Sequence, residues 1–451
     1  MNLILVVCDS LRADYLGCYG NPWVRTPCLD AFAREGVVFD NVYGEGLPTI
    51  PARRVFMTGR ELLPFEDRPR NKGVDPNLPG WDPMREEDVA LAEHLSDRGF
   101  FCGMSTDLWH FFKPTMNFHR GFHTWDFIRG HEGDKWRVRP KRTYDLHDFV
   151  PPRFYNDDLY EKVGHQYLYN TEWFRGEEDY FCARTMRSAV RWLENASDRA
   201  PFFLYIDTFD VHEPYDPPWK YAEMYYDDYP LDRILYGYWT ADADVRDEDV
   251  PMLKALYAAK ITHLDAWFGY LMDNLDRLGM RDDTVVVFVS DHGTEFREHG
   301  IMKKDAWTLY RNVTRLPLIA RTPDASSPGR RVDALISAVD LAPTLLRLVG
   351  QTPPETMTGR DFWPTATGQQ SEIREYVVSG YERSGCVRDH DWLYLFNAQP
   401  HAKHGKQHRQ AKPWLYDLNN DPEEQNDVKD AHPEIRAKML ERARGIWPDA
   451  T

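Results

Sequence analysis

Short apolar runs alternate with amphipathic stretches along most of this chain. The run "NLILVVC", residues 2–8, is apolar at almost every position, the pattern of a strand buried on both faces. "FFCGMST" (100–106), "PFFLYIDTF" (201–209) and "DTVVVFVSDHG" (283–293) read the same way. Helical periods lie between them. Thr26-Pro27 introduces "CLDAFAREGV", with a stop near Gly36, and "DVALAEHLSDRG" (88–99) comes next. "CARTMRSAVRWLENA" (182–196), "LKALYAAKITHLDAWFGYLMDNLDRLGM" (253–280) and "DLAPTLLRLVG" (340–350) complete the set. Strands alternating with helices predict an α/β fold on a mostly parallel central sheet flanked by helices.

Two segments break the rhythm. Residues 114–178 are crowded with aromatic, Arg, His and Asp residues, and residues 213–250 with Tyr, Asp and Pro. Both read as long insertions that wall or cover a site, and both are candidates for homo-oligomer contacts. From about residue 372 the pattern changes to the short strands "YVVSGY", "WLYLFN" and "WLYDL" and a terminal helix, a small α+β subdomain. The expected division is a catalytic unit over 1–371 and a small-sheet subdomain over 372–451.

Composition narrows the classes of function. The 451 residues are 42% apolar, ample for a large core, and carry a formal charge of −17. No basic footprint is present, which argues against a nucleic-acid partner, so an anionic ligand must be met by local positive charge. The early apolar run is far shorter than the ~20 residues of a membrane span and lacks the flanks of a signal peptide, so no membrane association is expected. The six cysteines show no paired spacing and no CxxC, which suits a reduced, cytoplasmic protein.

Candidate chemistry sits where strands end, the usual ligand edge of an open α/β sheet. The first strand gives Asp9, and the strand "TVVVFVS" gives Asp291-His292. Hard carboxylates beside an imidazole suit a divalent metal. "DTFDVHEPYDPP" places His212 after a third strand, "LWHFF" places His110 after a fourth, and "REHGIMKK" supplies His299, Lys303 and Lys304. In "GLPTIPARRVFMTGR" (46–60), Thr49 stands at a helix start, either as an ordinary cap or as a nucleophile at the positive end of the helix dipole.

These stretches resemble the sulfatase family of the alkaline phosphatase superfamily, in the branch of choline sulfatases and phosphonate monoester hydrolases. "LILVVCDSLRADYLGCYG", "TIPARRVFMTGR", "PFFLYIDTFDVHEPYDPP" and "TVVVFVSDHGTEFREHG" fall in the family's order, and "TRLPLIAR" and "YDLNNDPEEQNDV" match its later landmarks. The resemblance implies an alkaline-phosphatase-like fold and one divalent ion (Mn, Zn, Ca or Mg) held by Asp9, Asp291, His292 and the Thr49 oxygen. It implies Arg53 steadying the nucleophile and His212 handling the leaving group. Lys304, with Lys303 the other register, would bind a substrate oxygen, and His110 belongs to a Lys-x-His pair. Three positions depart from the pattern. Ser10 stands at a second Asp ligand and Leu108 at the lysine of the pair. Thr49 stands at the Cys or Ser that becomes formylglycine; oxidising a threonine would give a ketone, so no formylglycine is expected.

The expected function is therefore metal-dependent hydrolysis of a small anionic ester, with a phosphodiester or phosphonate monoester favoured. Metal-activated Thr49 attacks phosphorus, Lys304 and Arg53 offset charge, and His212 or His110 protonates the leaving oxygen. The alternatives are a sulfatase acting on sulfate esters and a non-catalytic binding protein on the same fold.

Overall fold

Strict alternation along the first strand builds the two faces of the protein. In β1 (Asn2–Cys8), Ile4, Val6 and Cys8 point to one core and Leu3, Leu5 and Val7 to the other. The structure is a computed structural model that describes residues 1–66, 76, 78–140, 143–151, 154, 163–226, 236–237, 244–324, 327–397 and 413–450. Parts of both predicted insertions lie outside the described residues.

The remaining strands of the large sheet are β2 (Val37–Tyr43), β3 (Phe101–Thr106), β4 (Thr124–Phe127), β5 (Phe202–Thr208), β6 (Thr284–Ser290), β7 (Arg315–Arg321) and β8 (Arg330–Ser337). Their order is β8-β2-β7-β6-β1-β5-β3-β4. β7 is antiparallel to both of its neighbours and the other pairings are parallel, as an α/β fold requires.

Helices cover both faces. α1 (Pro27–Glu35), α3 (Phe181–Asn195) and α4 (Val250–Arg277) send Phe32, Met186, Leu193 and Leu264 into the first core. α2 (Thr49–Thr58) and α5 (Leu341–Leu348) send Val55, Phe56, Leu345 and Leu346 into the second. Thr26 does not cap α1 with its side chain. Its Oγ1 accepts from Gly17 N at 2.9 Å, while Asp265 on α4 accepts from the Cys28 and Leu29 amides at 3.1 and 2.7 Å. The stretch predicted as a helix over 88–99 is helical only at Leu91–Ser96.

The strands Val377–Tyr381, Ser384–Arg388, Trp392–Asn397 and Trp414–Asp417 form the small C-terminal sheet, backed by α6 (Pro433–Arg444) through Met439 and Ala443. A two-residue strand, Gly46–Leu47, joins its edge in parallel, and Gly380 N donates to Glu45 O at 2.8 Å. The segment leading into Thr49 is thus held by the C-terminal sheet.

Candidate active site

β1 and β6 end side by side, with Cys8 opposite Ser290, so the next residues, Asp9 and Asp291, emerge together at the carboxyl edge of the sheet. His292 follows. The ligand atoms of Asp9, Asp291 and His292 lie within 4.8 Å of one another, and all three side chains are buried. His292 Nδ1 lies 2.8 Å from Gly293 O. A carbonyl only accepts, so Nδ1 carries the hydrogen and Nε2 keeps its lone pair. That Nε2 is buried and, among the described residues, has no hydrogen-bond partner; it lies 3.4 Å from Asp291 Oδ2 and 3.7 Å from Asp9 Oδ1. Burial, and then Lys304, lower the His292 pKa to about 3, so the ring is neutral and fit to ligate.

α2 aims its first turn at the same edge. Arg53 is fully buried and makes a bidentate pair with Asp207, at 3.0 and 2.9 Å. Its Nη1 donates to Asp9 Oδ2 at 2.9 Å and also to Asp291 Oδ2. Tyr205 Oη donates to Asp207 Oδ2 at 2.7 Å. The Arg53 guanidinium is thus held by three carboxylates, one turn along the helix from Thr49, whose carbonyl lies 3.4 Å from Nη1.

Three buried carboxylates facing one guanidinium leave negative charge without compensation. Burial pushes Asp291 well above the usual carboxylate range, with neighbouring Asp9 adding to the push against the pull of Arg53. Burial also opposes the charge on Asp9, but Arg53, His292, His212 and Lys304 together hold it well below that range. A divalent cation would balance this cluster, and Nε2 of His292 would give it an imidazole nitrogen beside the oxygens of Asp9 and Asp291. The residues present therefore fit a metal ion.

Thr49 is not the cap of its helix. Pro48 holds the cap position without a side-chain cap bond, and Thr49 is the first helical residue, 3% exposed. The other end closes with Gly59 in the left-handed region at φ 57°, its amide on Val55 O at 2.8 Å. A Cβ there would lie 3.0–3.1 Å from Pro343 and Ala342, so glycine also lets α2 pack against α5.

Of the two neighbouring lysines, Lys304 reaches the cluster. Its Nζ is 3.4 Å from Ser10 Oγ, which itself donates to Asp9 Oδ1 at 2.8 Å. Lys303 Nζ lies 5.5 Å over the Tyr236 ring. His299 is a strut outside the cluster: it stacks on Tyr310 at 3.5 Å, pairs with Glu295 at 3.0 Å and meets the Glu423 and Glu424 carbonyls at 3.2 Å.

His212 is buried, with Nδ1 2.7 Å from Glu213 O and 3.2 Å from Glu213 Oε2. Burial, then Lys304, lower its pKa. Lys260 clamps the turn from below, donating to His212 O at 2.7 Å, Pro214 O at 3.1 Å and Asp210 at 2.6 Å. His110 is buried between Trp81, Trp109 and Phe209, and Phe209 stacks on His212 at 4.2 Å. Leu108 is fully buried in the second core.

Several residues of this constellation are invisible in a strand-by-strand reading. Asp207 is the partner of Arg53, Lys260 comes from the middle of a core helix, and Glu132 comes from the first insertion. Only the strand-end position of Asp207 offered a signal.

A family model described as Sulfatase matches residues 1–351, and one described as N-sulphoglucosamine sulphohydrolase, C-terminal, matches 297–445. The chain is 28% identical to human arylsulfatase A over 94% of its own length and 82% of that protein. It is 25% identical to a choline-sulfatase of Rhizobium meliloti over 88% and 78% of the two chains. Its fold is similar to the crystal structure of a phosphonate monoester hydrolase of Agrobacterium radiobacter, with a TM-score of 0.75 and 20% identity over 99% and 95% of the two chains.

Proposed function

The chain belongs to the sulfatase family and is an ester-bond hydrolase, and from that premise we propose that it cleaves phosphate or phosphonate esters with Thr49 as its nucleophile. The observation that carries this reading is Thr49 itself, a buried hydroxyl in the first turn of α2, released from capping and one turn from the arginine that binds the metal carboxylates.

Asp9, Asp291, His292 and the Thr49 oxygen would hold one divalent ion, which supplies a Lewis acid that lowers the hydroxyl pKa and polarises the ester oxygens. The helix N-terminus favours the anion that arrives at Thr49. Thr49 Oγ1 would attack phosphorus, its proton passing to the neutral His212 Nε2 and from there to the leaving oxygen as the P–O bond to the leaving group breaks. His212 stands for the leaving oxygen: Nδ1–H is fixed on Glu213 O, which leaves Nε2 for proton transfer, and the Glu213 carboxylate supports the protonated ring. Lys304 binds a non-bridging oxygen. Water then attacks phosphorus of the phosphothreonine and Thr49 Oγ1 departs.

The chemistry of threonine favours phosphorus over sulfur. A sulfated threonine is an unactivated alkyl sulfate, and opening it requires water to attack sulfur and expel a poor leaving group. A hydrated formylglycine avoids this by collapsing to an aldehyde with C–O cleavage. Threonine has no second hydroxyl and has no such route. Hydrolysis of sulfate esters is the second reading, favoured by the sulfatase relatives. Acid-quenched turnover of a nitrophenyl phosphodiester, followed by peptide mass spectrometry, tests the proposal. A phosphoryl adduct on Thr49 is expected; an adduct elsewhere, or an oxidised residue 49, contradicts it.

The metal count is a separate prediction. Protein purified without chelator is expected to carry one divalent ion per chain. The acids that would hold a second are engaged: Asp207 by Arg53 and Tyr205, Asp210 by Lys260. Elemental analysis showing two equivalents of zinc, both needed for activity, would overturn this.

A further inference from the structure

The first insertion sends one side chain toward the catalytic histidines. Glu132 lies in the loop after β4 and is 6% exposed. Its Oε2 accepts from Trp109 Nε1 at 2.7 Å and lies 3.4 Å from His110 Nε2. The opposite ring atom, His110 Nδ1, is buried and has no hydrogen-bond partner among the described residues. Histidine, carboxylate and indole thus form a built unit with one nitrogen left over.

The loop is fixed on both sides of Glu132. Ile128 N donates to Thr106 O at 2.8 Å, and Asp134 pairs with Arg129 at 2.6 Å and accepts from Gly130 N at 2.8 Å. Asn170 donates to the carbonyls of Gly130 and Asp134 at 2.9 and 2.7 Å. His131 stacks on Phe181 at 4.3 Å and lies 3.2 Å from Asp107. Glu132 itself has φ 49°, in the left-handed region, and a non-glycine residue stays there only when its surroundings over-determine it.

We propose that Glu132 is the positioning residue of His110: it takes the Nε2–H of the imidazole and thereby presents the Nδ1 lone pair to the reacting water. This rests on the reading of Thr49 given above. A carboxylate only accepts, so the pair fixes the Nε2–H tautomer. Nδ1 then takes the proton of the water whose oxygen bonds phosphorus. The P–Oγ1 bond of the phosphothreonine breaks, and the imidazolium returns its proton to Thr49 Oγ1. Glu132 stabilises the imidazolium between the two transfers, the part an orienting carboxylate plays beside a histidine base. The charged and titratable groups acting on the ring are Glu132, Lys113 and His212; burial, with Lys113 and His212, outweighs the upward pull of Glu132 and lowers His110 to about 4, which keeps it a neutral acceptor at neutral pH.

The test is Glu132→Gln, which keeps an oxygen for Trp109 and removes the charge. Nitrogen-15 NMR of the histidine rings reads the tautomer without any turnover, with the His110 signal identified by its loss in His110→Asn. The wild-type protein is expected to show the Nε2–H form, and Glu132→Gln to lose that preference. In parallel, kcat is expected to fall about 10- to 100-fold, with an unchanged melting midpoint, and the same substitution in a His110→Asn background is expected to cost nothing more. An Nδ1–H wild-type ring, an unchanged kcat, or an equal loss in both backgrounds overturns the proposal. If the wild-type protein turns over no ester, the reading of Thr49 fails while the ring signal still decides the role of Glu132.

Discussion

Thr49→Ala is expected to lower kcat by at least about 10⁴-fold while the protein stays folded and metal-bound. Removing a covalent nucleophile costs far more than removing an accessory contact, and what survives comes from binding and electrostatics alone. The structure also bounds the side effects. Thr49 is the first residue inside α2 and caps nothing, so no capping bond is lost. Alanine is the better helix former, and stability should change by less than about 1 kcal/mol. The carboxylates and His292 keep their arrangement because Arg53, which organises them, is untouched. Steady-state kinetics with metal analysis on the purified variant checks this. Wild-type turnover would reduce Thr49 to a structural residue, and inactivity with lost metal would make it chiefly a ligand.

Asp291 offers the second large effect. Asp291→Ala is expected to lose metal and at least about 10³-fold in activity together. It also orphans two buried amides, since Asp291 Oδ1 accepts from Ser10 N at 3.0 Å and His292 N at 2.7 Å, at about 1–3 kcal/mol each. Asp291→Asn separates charge from fold, because its oxygen can keep both bonds. In the metal-free state it relieves the crowding of two buried carboxylates but turns its amide nitrogen toward the Arg53 Nη1 that donates to Asp291 Oδ2, so its melting midpoint should lie above that of Asp291→Ala. Divalent metal should raise the wild-type midpoint and leave that of Asp291→Asn unchanged. Calorimetry with and without chelator reads this directly. A metal-dependent midpoint in Asp291→Asn would show that the ion is held elsewhere.

The core of the fold was legible because its strands are long, apolar and buried on both faces. β1, β5 and β6 have no exposed residue, and such runs have few alternative readings. Two of the strands not singled out have mixed environments. β4 is exposed at three of its four residues, and β8 begins with two exposed arginines. β7 carries Pro317 and runs against its neighbours. The cluster of Asp9, Asp291 and His292 was legible for a related reason: parallel strands deliver their next residues to one edge, which brings Asp9 and Asp291-His292 together. Side chains that arrive from elsewhere carry no such signal. Glu132 stands in a loop with no periodicity, and Lys260 sits in a helix whose apolar surroundings mark it only as core. Arg53 was visible as a residue of the site, but its engagement by Asp207 depends on the pairing of α2 with β5, which spacing along the chain does not encode.

The most direct test of the account is a comparison of kcat/KM on matched nitrophenyl esters, a phosphodiester, a phosphonate monoester and a sulfate monoester, with residue 49 verified as unmodified threonine by mass spectrometry. The account predicts that the phosphodiester or the phosphonate monoester exceeds the sulfate ester, because only a phosphothreonine can be opened by water at an acceptable rate. Loss of the lysine at Leu108 adds a weaker bias toward substrates of lower charge. Multiple turnovers of the sulfate ester as fast as those of the phosphorus esters, with an intact Thr49, would contradict it.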